Sequence, residues 1–287
     1  MMASFFWHGG PLTLYEAACL RSFVKAGAAV RLFSFDDTLH VPAGVELRDA
    51  RLYAEVSETQ RFQQGHHDVS LAAFSDMFRY RLLADAPGWW FDTDVMCLQP
   101  VDAFAPLVAK SPGLILGEES PGQVNGAVMH VSDCAIARSL LRSAESFGHH
   151  FAWGSIGPRL LGRYCRENRQ RVLLQSSDVF YPVPGAQALS PFDPAARQSC
   201  DVATRGALTT HLWNGLIERL LIPKDVLPPY GSWLHEQFMN LGVDVERGAS
   251  LSWKSVERLQ IAGNLTRLDR MALATSGFLK RITGVSR

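Results

Sequence analysis

The sequence lacks a basic excess: Lys and Arg number 28, and Asp and Glu also number 28. A nucleic-acid-binding surface ordinarily draws on surplus cationic charge, so no nucleic-acid partner is expected. It also lacks paired cysteine spacing. Cys19, Cys97, Cys134, Cys165 and Cys200 are an odd set with no CxxC, and they read as reduced thiols rather than a disulfide framework or a zinc site. No apolar run approaches the roughly 18 residues that a membrane span requires. The opening Met1-Met2-Ala3-Ser4-Phe5-Phe6-Trp7 has neither the basic flank nor the long apolar stretch of a signal peptide, so the expectation is a cytoplasmic protein. Neither an internal repeat nor a low-complexity tract is visible. What is present is enough to bury a sizeable core. The chain has 287 residues, 47% of them hydrophobic and 20% charged, which suits one large domain or a domain with an appendage and excludes wholesale disorder.

Local patterns give the class. Residues 4–8 form a short apolar run ended by Gly9-Gly10-Pro11, and Thr13 with Glu16 three residues later makes a capping box. Ala17, Leu20, Phe23 and Val24 follow at helical spacing, with Gly27 as the stop. A second strand is expected over 29–35. Strand, helix and strand in about 30 residues form a βαβ unit, and that implies a parallel sheet. Further on, the spacing predicts a mostly buried helix over 70–85 and a strand over 89–95. Two short strands are expected at 113–117 and 127–131, and helices at 136–147 and 233–241. Residues 181–199, rich in Pro, Gly and small residues, read as a long loop. The expected organisation is an α/β catalytic domain over 1–250 and a basic, helical C-terminal extension over 251–287. That extension carries a charge of +5 and the remainder −5. Two readings of the extension stand open. It is a peripheral membrane contact, given its cations and Leu259, Ile261, Leu268, Leu273, Phe278 and Leu279, or a helix packed on the domain.

The sharpest chemical feature is Asp92-Thr93-Asp94, directly after Trp89-Trp90-Phe91. Residues two apart on a strand share a face, and two carboxylates on one face are costly unless a positive group joins them. A hard divalent cation held through carboxylate, water and phosphate oxygens meets that need. Solvated turn aspartates are the bland alternative, and the aromatic run before them argues against it. Asp76 and Arg79, three apart, share a helix face in an otherwise apolar helix. They make either a surface ion pair or a fixed guanidinium suited to a diphosphate or sugar hydroxyls.

These residues resemble a known family. Phe6-Trp7-His8-Gly9-Gly10, Ser75-Asp76-x-x-Arg79 and Gly88-Trp89-Trp90-Phe91-Asp92-Thr93-Asp94 occur in that order in the DXD-sugar-binding glycosyltransferases. That family includes α-1,4-galactosyltransferases, α-1,4-N-acetylglucosaminyltransferases and the glucosyltransferase domains of large clostridial cytotoxins. Val124-Asn125-Gly126-Ala127, Gly157-Pro158 and Thr210-His211-Leu212-Trp213-Asn214 continue the likeness, which covers roughly residues 4–240. The resemblance implies a GT-A-type fold, a mainly parallel nucleotide-binding sheet flanked by helices. It also implies a UDP-sugar donor, a Mn²⁺ or Mg²⁺ cofactor and retention of anomeric configuration. By the same resemblance Trp7 stacks on uracil, and Asp76 and Arg79 hold the donor sugar and its ribose or phosphate. Asp92 touches ribose or metal-bound water, and Asp94 ligates the metal. Asn125 lies near the transferred sugar, and Trp213 and Asn214 close over the diphosphate. His211 is a third metal ligand, a phosphate contact or a structural imidazole. Glu118 and Glu119 are acceptor contacts or solvated acids.

Animal members carry an N-terminal anchor and luminal cysteines, and the toxins carry long helical insertions. Without these features the chain resembles a bacterial enzyme that is cytoplasmic or peripheral at the inner membrane face. Its expected role lies in polysaccharide or glycolipid biosynthesis, with a glycan, glycolipid or lipid-linked acceptor. Two alternatives belong to other classes: a metal-dependent nucleotide-sugar hydrolase and a non-catalytic nucleotide-binding protein.

Overall fold

The structure is a computed structural model and describes residues 1–64, 68–243 and 249–263. Strand β1 (Met2–Trp7) ends at Gly9 and Gly10, whose φ values of 108° and 105° only glycine takes readily. Helix α1 (Leu14–Lys25) starts as the sequence predicts. The Thr13 side chain caps it, and Glu16 reaches back to the Thr13 N–H at 3.0 Å. It closes in a Schellman motif: the Ala28 N–H donates to the Phe23 carbonyl and the Gly27 N–H to that of Val24, both at 3.0 Å. Then follow β2 (Ala29–Ser34), β3 (Val45–Asp49), the short β4 (Gln63–Gln64) and β5 (Asp68–Val69), and α2 (Leu71–Asp85), capped by Ser70. After β6 (Gly88–Phe91) and β7 (Val95–Cys97) come α3 (Ala105–Lys110), β8 (Leu114–Ser120) and β9 (Gln123–Val131). The latter two are a hairpin longer than the two short strands expected. The chain continues through α4 (Cys134–Glu145), β10 (His150–Phe151), α5 (Pro158–Glu167), β11 (Val172–Gln175), α6 (Ser177–Phe180), α7 (Arg197–Thr204), β12 (Thr209–His211), α8 (Asn214–Arg219), α9 (Trp233–Asn240) and α10 (Trp253–Gly263).

Seven strands form the central sheet in the order β11-β8-β9-β6-β1-β2-β3. β9 is antiparallel to both of its neighbours, and every other pairing is parallel. This is the mainly parallel sheet, flanked by helices, that a GT-A-type fold implies. Alternation along the strands fills both faces. Phe6, Phe33 and Trp90 pack with Phe74 and Phe78 of α2 on one side. Phe5, Leu32, Trp89 and Phe91 pack with Phe23 of α1 on the other. A third cluster joins Tyr15, Leu212, Trp233 and Phe238 to Leu251, Val256 and Leu259, so α10 lies against α9 and the start of α1. The Leu251 N–H also donates to the Leu227 carbonyl at 2.8 Å.

Two expectations change. The strand expected over 89–95 stops at Phe91. Asp92, Thr93 and Asp94 form a turn closed by the Val95 N–H on the Asp92 carbonyl at 3.0 Å, and β7 leaves the sheet to pair with β12. Aromatic residues sustain the pleat, and aspartates, whose oxygens seek local donors, end it. Residues 181–199 are not one loop. They wind through 3₁₀ turns at Gly185–Gln187, Ser190–Phe192 and Pro194–Ala196 into α7, with Pro184, Pro191 and Pro194 each fixing their own φ at or beside the start of one turn. In the extension, Leu259 is buried and Ile261 exposed. Its remaining expected membrane-facing residues, Leu268, Leu273, Phe278 and Leu279, lie outside the described residues, as do most of its cations. Among the described residues no helix is long and apolar enough to cross a membrane.

His130 on β9 sits between Trp89 and Ile115 in the register and is buried against the Trp89 ring, with centroids 4.7 Å apart. Burial pushes its pKa down to about 4. The unfolded chain takes up this proton near the ordinary value and the folded chain does not, so stability falls as pH drops from about 6.5 to about 4. Urea unfolding at pH 7 and pH 4.5 should show His130→Phe losing roughly 2 kcal/mol less than wild type over that range. Equal losses in the two proteins would remove His130 as the cause.

Candidate functional site

The C-terminal ends of β1, β6 and β8 and the beginning of β9 meet at one edge of the sheet, where ligands gather in open α/β sheets. Arg79 of α2 lies there, 3% exposed. Its Nη2 reaches Asp76 Oδ1 at 2.9 Å and Asp92 Oδ1 at 3.2 Å, and its guanidinium rests over the Trp90 ring at 5.4 Å. Trp90 Nε1 donates to the same Asp92 oxygen at 2.7 Å. Two glycines make room for this cluster. A Cβ on Gly126 would stand 2.0 Å from Arg79 Nη1, and one on Gly157 would stand 2.4 Å from Asp76 Oδ2. Burial pushes the Asp76 carboxyl up to about 6, with Asp92 adding to the shift and Arg79 opposing it. Against the cost of burial, Asp92 and Asp76 hold the Arg79 guanidinium above its usual range.

A second cluster adjoins the first. Asp94 Oδ2 accepts from the Asn214 backbone N–H at 2.8 Å and from His211 Nε2 at 3.0 Å. β12 carries His211 opposite Val95, and the Leu212 N–H donates to the Asp94 carbonyl at 2.8 Å. Against burial, the charge and hydrogen bond of His211 and the Asn214 N–H hold the Asp94 carboxyl below the usual range, and Asp94 in turn raises His211. The His211 ring packs on Trp213 with centroids 4.3 Å apart. Trp213 has φ 58°, a left-handed conformation that costs a bulky residue on the order of 1–3 kcal/mol, and its Nε1 donates to the Val183 carbonyl at 2.9 Å.

A cleft of about 620 Å³ exposes both clusters and is also lined by Glu119, Asn125, Trp153 and Trp213. Asn125 donates to Glu119 Oε2 and accepts from the Ala127 N–H, each at 2.7 Å. The structure thus brings Asp76, Arg79, Asp92, Asp94, Asn125, His211 and Trp213 to one space. It sets two expected residues differently. Trp7 is half-buried at the end of β1, its Nε1 on the Gly10 carbonyl at 2.7 Å, outside the cleft lining. Asn214 turns its side chain away from the cleft, with Nδ2 on Glu16 Oε1 at 2.7 Å, because that buried carboxylate needs donors; only its backbone N–H serves the site. Glu118 bonds the Gly122 N–H at 3.1 Å and is likewise absent from the lining.

Glu16 is the residue that sequence reasoning read only as a cap. Fully buried, it also takes Lys224 Nζ at 2.8 Å. The polar run Thr13-x-x-Glu16 gave its local role, but nothing in the pattern told of partners about 200 residues away. Gly126, Gly157 and Trp90 stood in the motifs that carry the resemblance but without a role, since their parts depend on the approach of α2.

Among the described residues no three His, Cys, Asp or Glu side chains stand grouped as a ready metal cage. The expected ligands Asp92, Asp94 and His211 are divided between the two clusters. The donor set nonetheless suits a hard or borderline divalent cation. To hold a cation, Asp94 Oδ2 and His211 Nε2, now joined at 3.0 Å, would both have to turn to it, His211 as the neutral imidazole.

No family model matches the chain, and no curated protein matches it. Its fold is similar to that of the galactosyltransferase LgtC, solved with donor and acceptor sugar analogues, at 14% identity over 84% of this chain and 95% of that one, TM-score 0.48. It is also similar to the PaToxG glycosyltransferase, at 12% identity over 87% and 86%, TM-score 0.42. A third likeness is to the glycosyltransferase GlyE of Streptococcus pneumoniae, at 12% identity over 99% and 65%, TM-score 0.40. Likeness at this level assigns no chemistry to the chain.

Replacing Glu16 by Ala removes the buried acceptor shared by Asn214 Nδ2 and Lys224 Nζ and leaves the Lys224 ammonium, whose side chain is 10% exposed, with only the exposed Glu218 at 2.8 Å. Glu16→Ala should cost about 3 kcal/mol in urea unfolding, with Glu16→Gln milder. An unchanged midpoint would show that the network does not hold the fold.

Proposed function

We propose that the protein is a metal-dependent, retaining glycosyltransferase of hexosyl type. It moves a sugar from a UDP-sugar to a hydroxyl of a glycan, glycolipid or lipid-linked acceptor. The observation that carries this reading is the pair of adjoining clusters, Asp76–Arg79–Asp92 and Asp94–His211, on the wall of one open cleft at the strand ends. A surface ion pair needs no such burial, and a core ion pair opens onto no cleft.

Asp94, Asp92 and His211 are the residues that would hold Mn²⁺ or Mg²⁺. When bound, the cation offsets the negative charge of the diphosphate leaving group. Arg79 keeps Asp92 and Asp76 in place, so that their outer oxygens can accept from ribose and sugar hydroxyls. Asn125, fixed at both ends of its amide, borders the transferred sugar. Trp213 walls the diphosphate side, and the half-exposed Trp7 is the stacking surface for uracil. Residues 1–250 form the catalytic domain in this reading and 251–287 its extension. Retention follows from the resemblance and fits the cleft. Of the acids that could act as a nucleophile, Asp76 is bound by Arg79 and Glu119 by Asn125, which favours acceptor attack on the face that UDP leaves.

UDP-sugars tested with Mn²⁺ or Mg²⁺ should give turnover that Asp94→Asn lowers by roughly a hundredfold or more. Full turnover in EDTA would defeat the metal assignment, and water as the sole acceptor would turn the enzyme into a hydrolase. Proton NMR of the first-formed product should show an α linkage from a UDP-α-sugar, and a β linkage would sink the retaining assignment.

A further inference from the structure

The charged wall leaves the outer half of the cleft without a role. Trp153 lines that space and is 68% exposed. A single exposed indole is unremarkable by itself, but the backbone that carries this one is held in place. It stands on the turn between β10 and α5, which the Ser155 N–H closes on the Ala152 carbonyl at 3.1 Å and the Arg159 N–H on the Gly154 carbonyl at 3.0 Å. Tyr80 of α2 donates its hydroxyl to the Ile156 carbonyl at 2.9 Å. Gly157, at the foot of the same turn, approaches Asp76 too closely for any side chain. The turn is therefore fastened to the helix that carries Asp76 and Arg79, and the Trp153 backbone keeps a set position relative to them. The β8–β9 hairpin brings Glu119, Ser120 and Gln123 to the lining of the same cleft.

A broad aromatic face at a cleft mouth, with hydrogen-bonding side chains lining the same space, has the chemistry of a pyranose site. The ring offers apolar area with a negative face to the polarised C–H groups of the sugar, and amide and carboxylate groups take its rim of hydroxyls. We propose that Trp153 is the platform on which the acceptor pyranose stacks, with Glu119 and Gln123 receiving its hydroxyls. This rests on the reading above, in which the inner wall takes the UDP-sugar. Because the indole is 68% exposed, its replacement should leave the fold intact.

The test uses the full chain, saturating UDP-sugar and the methyl α- and β-glycosides of glucose, galactose and N-acetylglucosamine as acceptors. Trp153→Ala should raise the acceptor KM roughly tenfold or more while kcat changes far less. UDP affinity by calorimetry should stay within about twofold of wild type, since the stacked ring belongs to the acceptor. Trp153→Phe should recover part of the loss. An unchanged acceptor KM with normal UDP binding overturns the platform alone. A matching fall in UDP affinity also overturns it, placing the indole on the nucleotide. Transfer to none of the six glycosides overturns the pyranose assignment. Absence of UDP binding in the wild type overturns the donor reading and the platform with it.

Discussion

A guanidinium buried to 3% exposure cannot stand without counter-charge, and Arg79 meets that demand with carboxylates from two different elements. Asp76 is its neighbour on α2, and Asp92 ends β6. The same contact therefore satisfies the charge, fixes the crossing of helix and sheet, and leaves two acids at the rim of a cleft. Trp90 beneath the guanidinium closes the arrangement, and Gly126 leaves the space that it occupies. A side chain at Gly126 would clash with Arg79, and loss of either carboxylate would leave its buried charge less compensated.

The adjoining aspartate is held by a different route. Asp94 depends on an imidazole carried by β12 and a backbone N–H of the segment after it, and that segment is anchored through Asn214 to Glu16 on α1. The left-handed Trp213 between them turns the chain so that His211 and the Asn214 N–H reach one oxygen. Two carboxylates separated by one residue in the sequence are thus governed by different parts of the chain. Asp94 is set by β12 and the segment after it and Asp92 by α2, and the turn Asp92-Thr93-Asp94 joins the two.

How much of this was legible follows from the range of each interaction. Thr13 and Glu16 announced a helix start because a capping box is complete within four residues, and Gly27 its end for the same reason. The order of strands and helices, and so the mainly parallel sheet, came from periodicity. Asp76, Arg79, Asp92, Asp94, Asn125, His211 and Trp213 were named from short motifs and do share a cleft. What failed was orientation. Whether Asp94 lay on a strand, or where the Asn214 amide pointed, depended on donors and acceptors far along the chain. The exposed Trp153 carried no periodic signal at all, because its meaning comes from the cleft that it borders.

The β8–β9 hairpin turns at Pro121-Gly122, with Gly122 at φ 79°, as a tight two-residue reversal with proline first and glycine second requires. Its two strands are paired deep into the sheet, while its tip, beyond the last pair Ser120–Gln123, adjoins the side chains that line the cleft. Lengthening such a tip costs little in loop closure, about 0.6 kcal/mol for each doubling. The Gly117–Asn125 pair behind it would keep Asn125 in place beside the charged cluster. The fold therefore separates a part that tolerates drift from a part that does not. Insertions at this reversal can reshape the entrance over evolutionary time, and new partners can be tried there, without disturbing the ion pairs a few residues away.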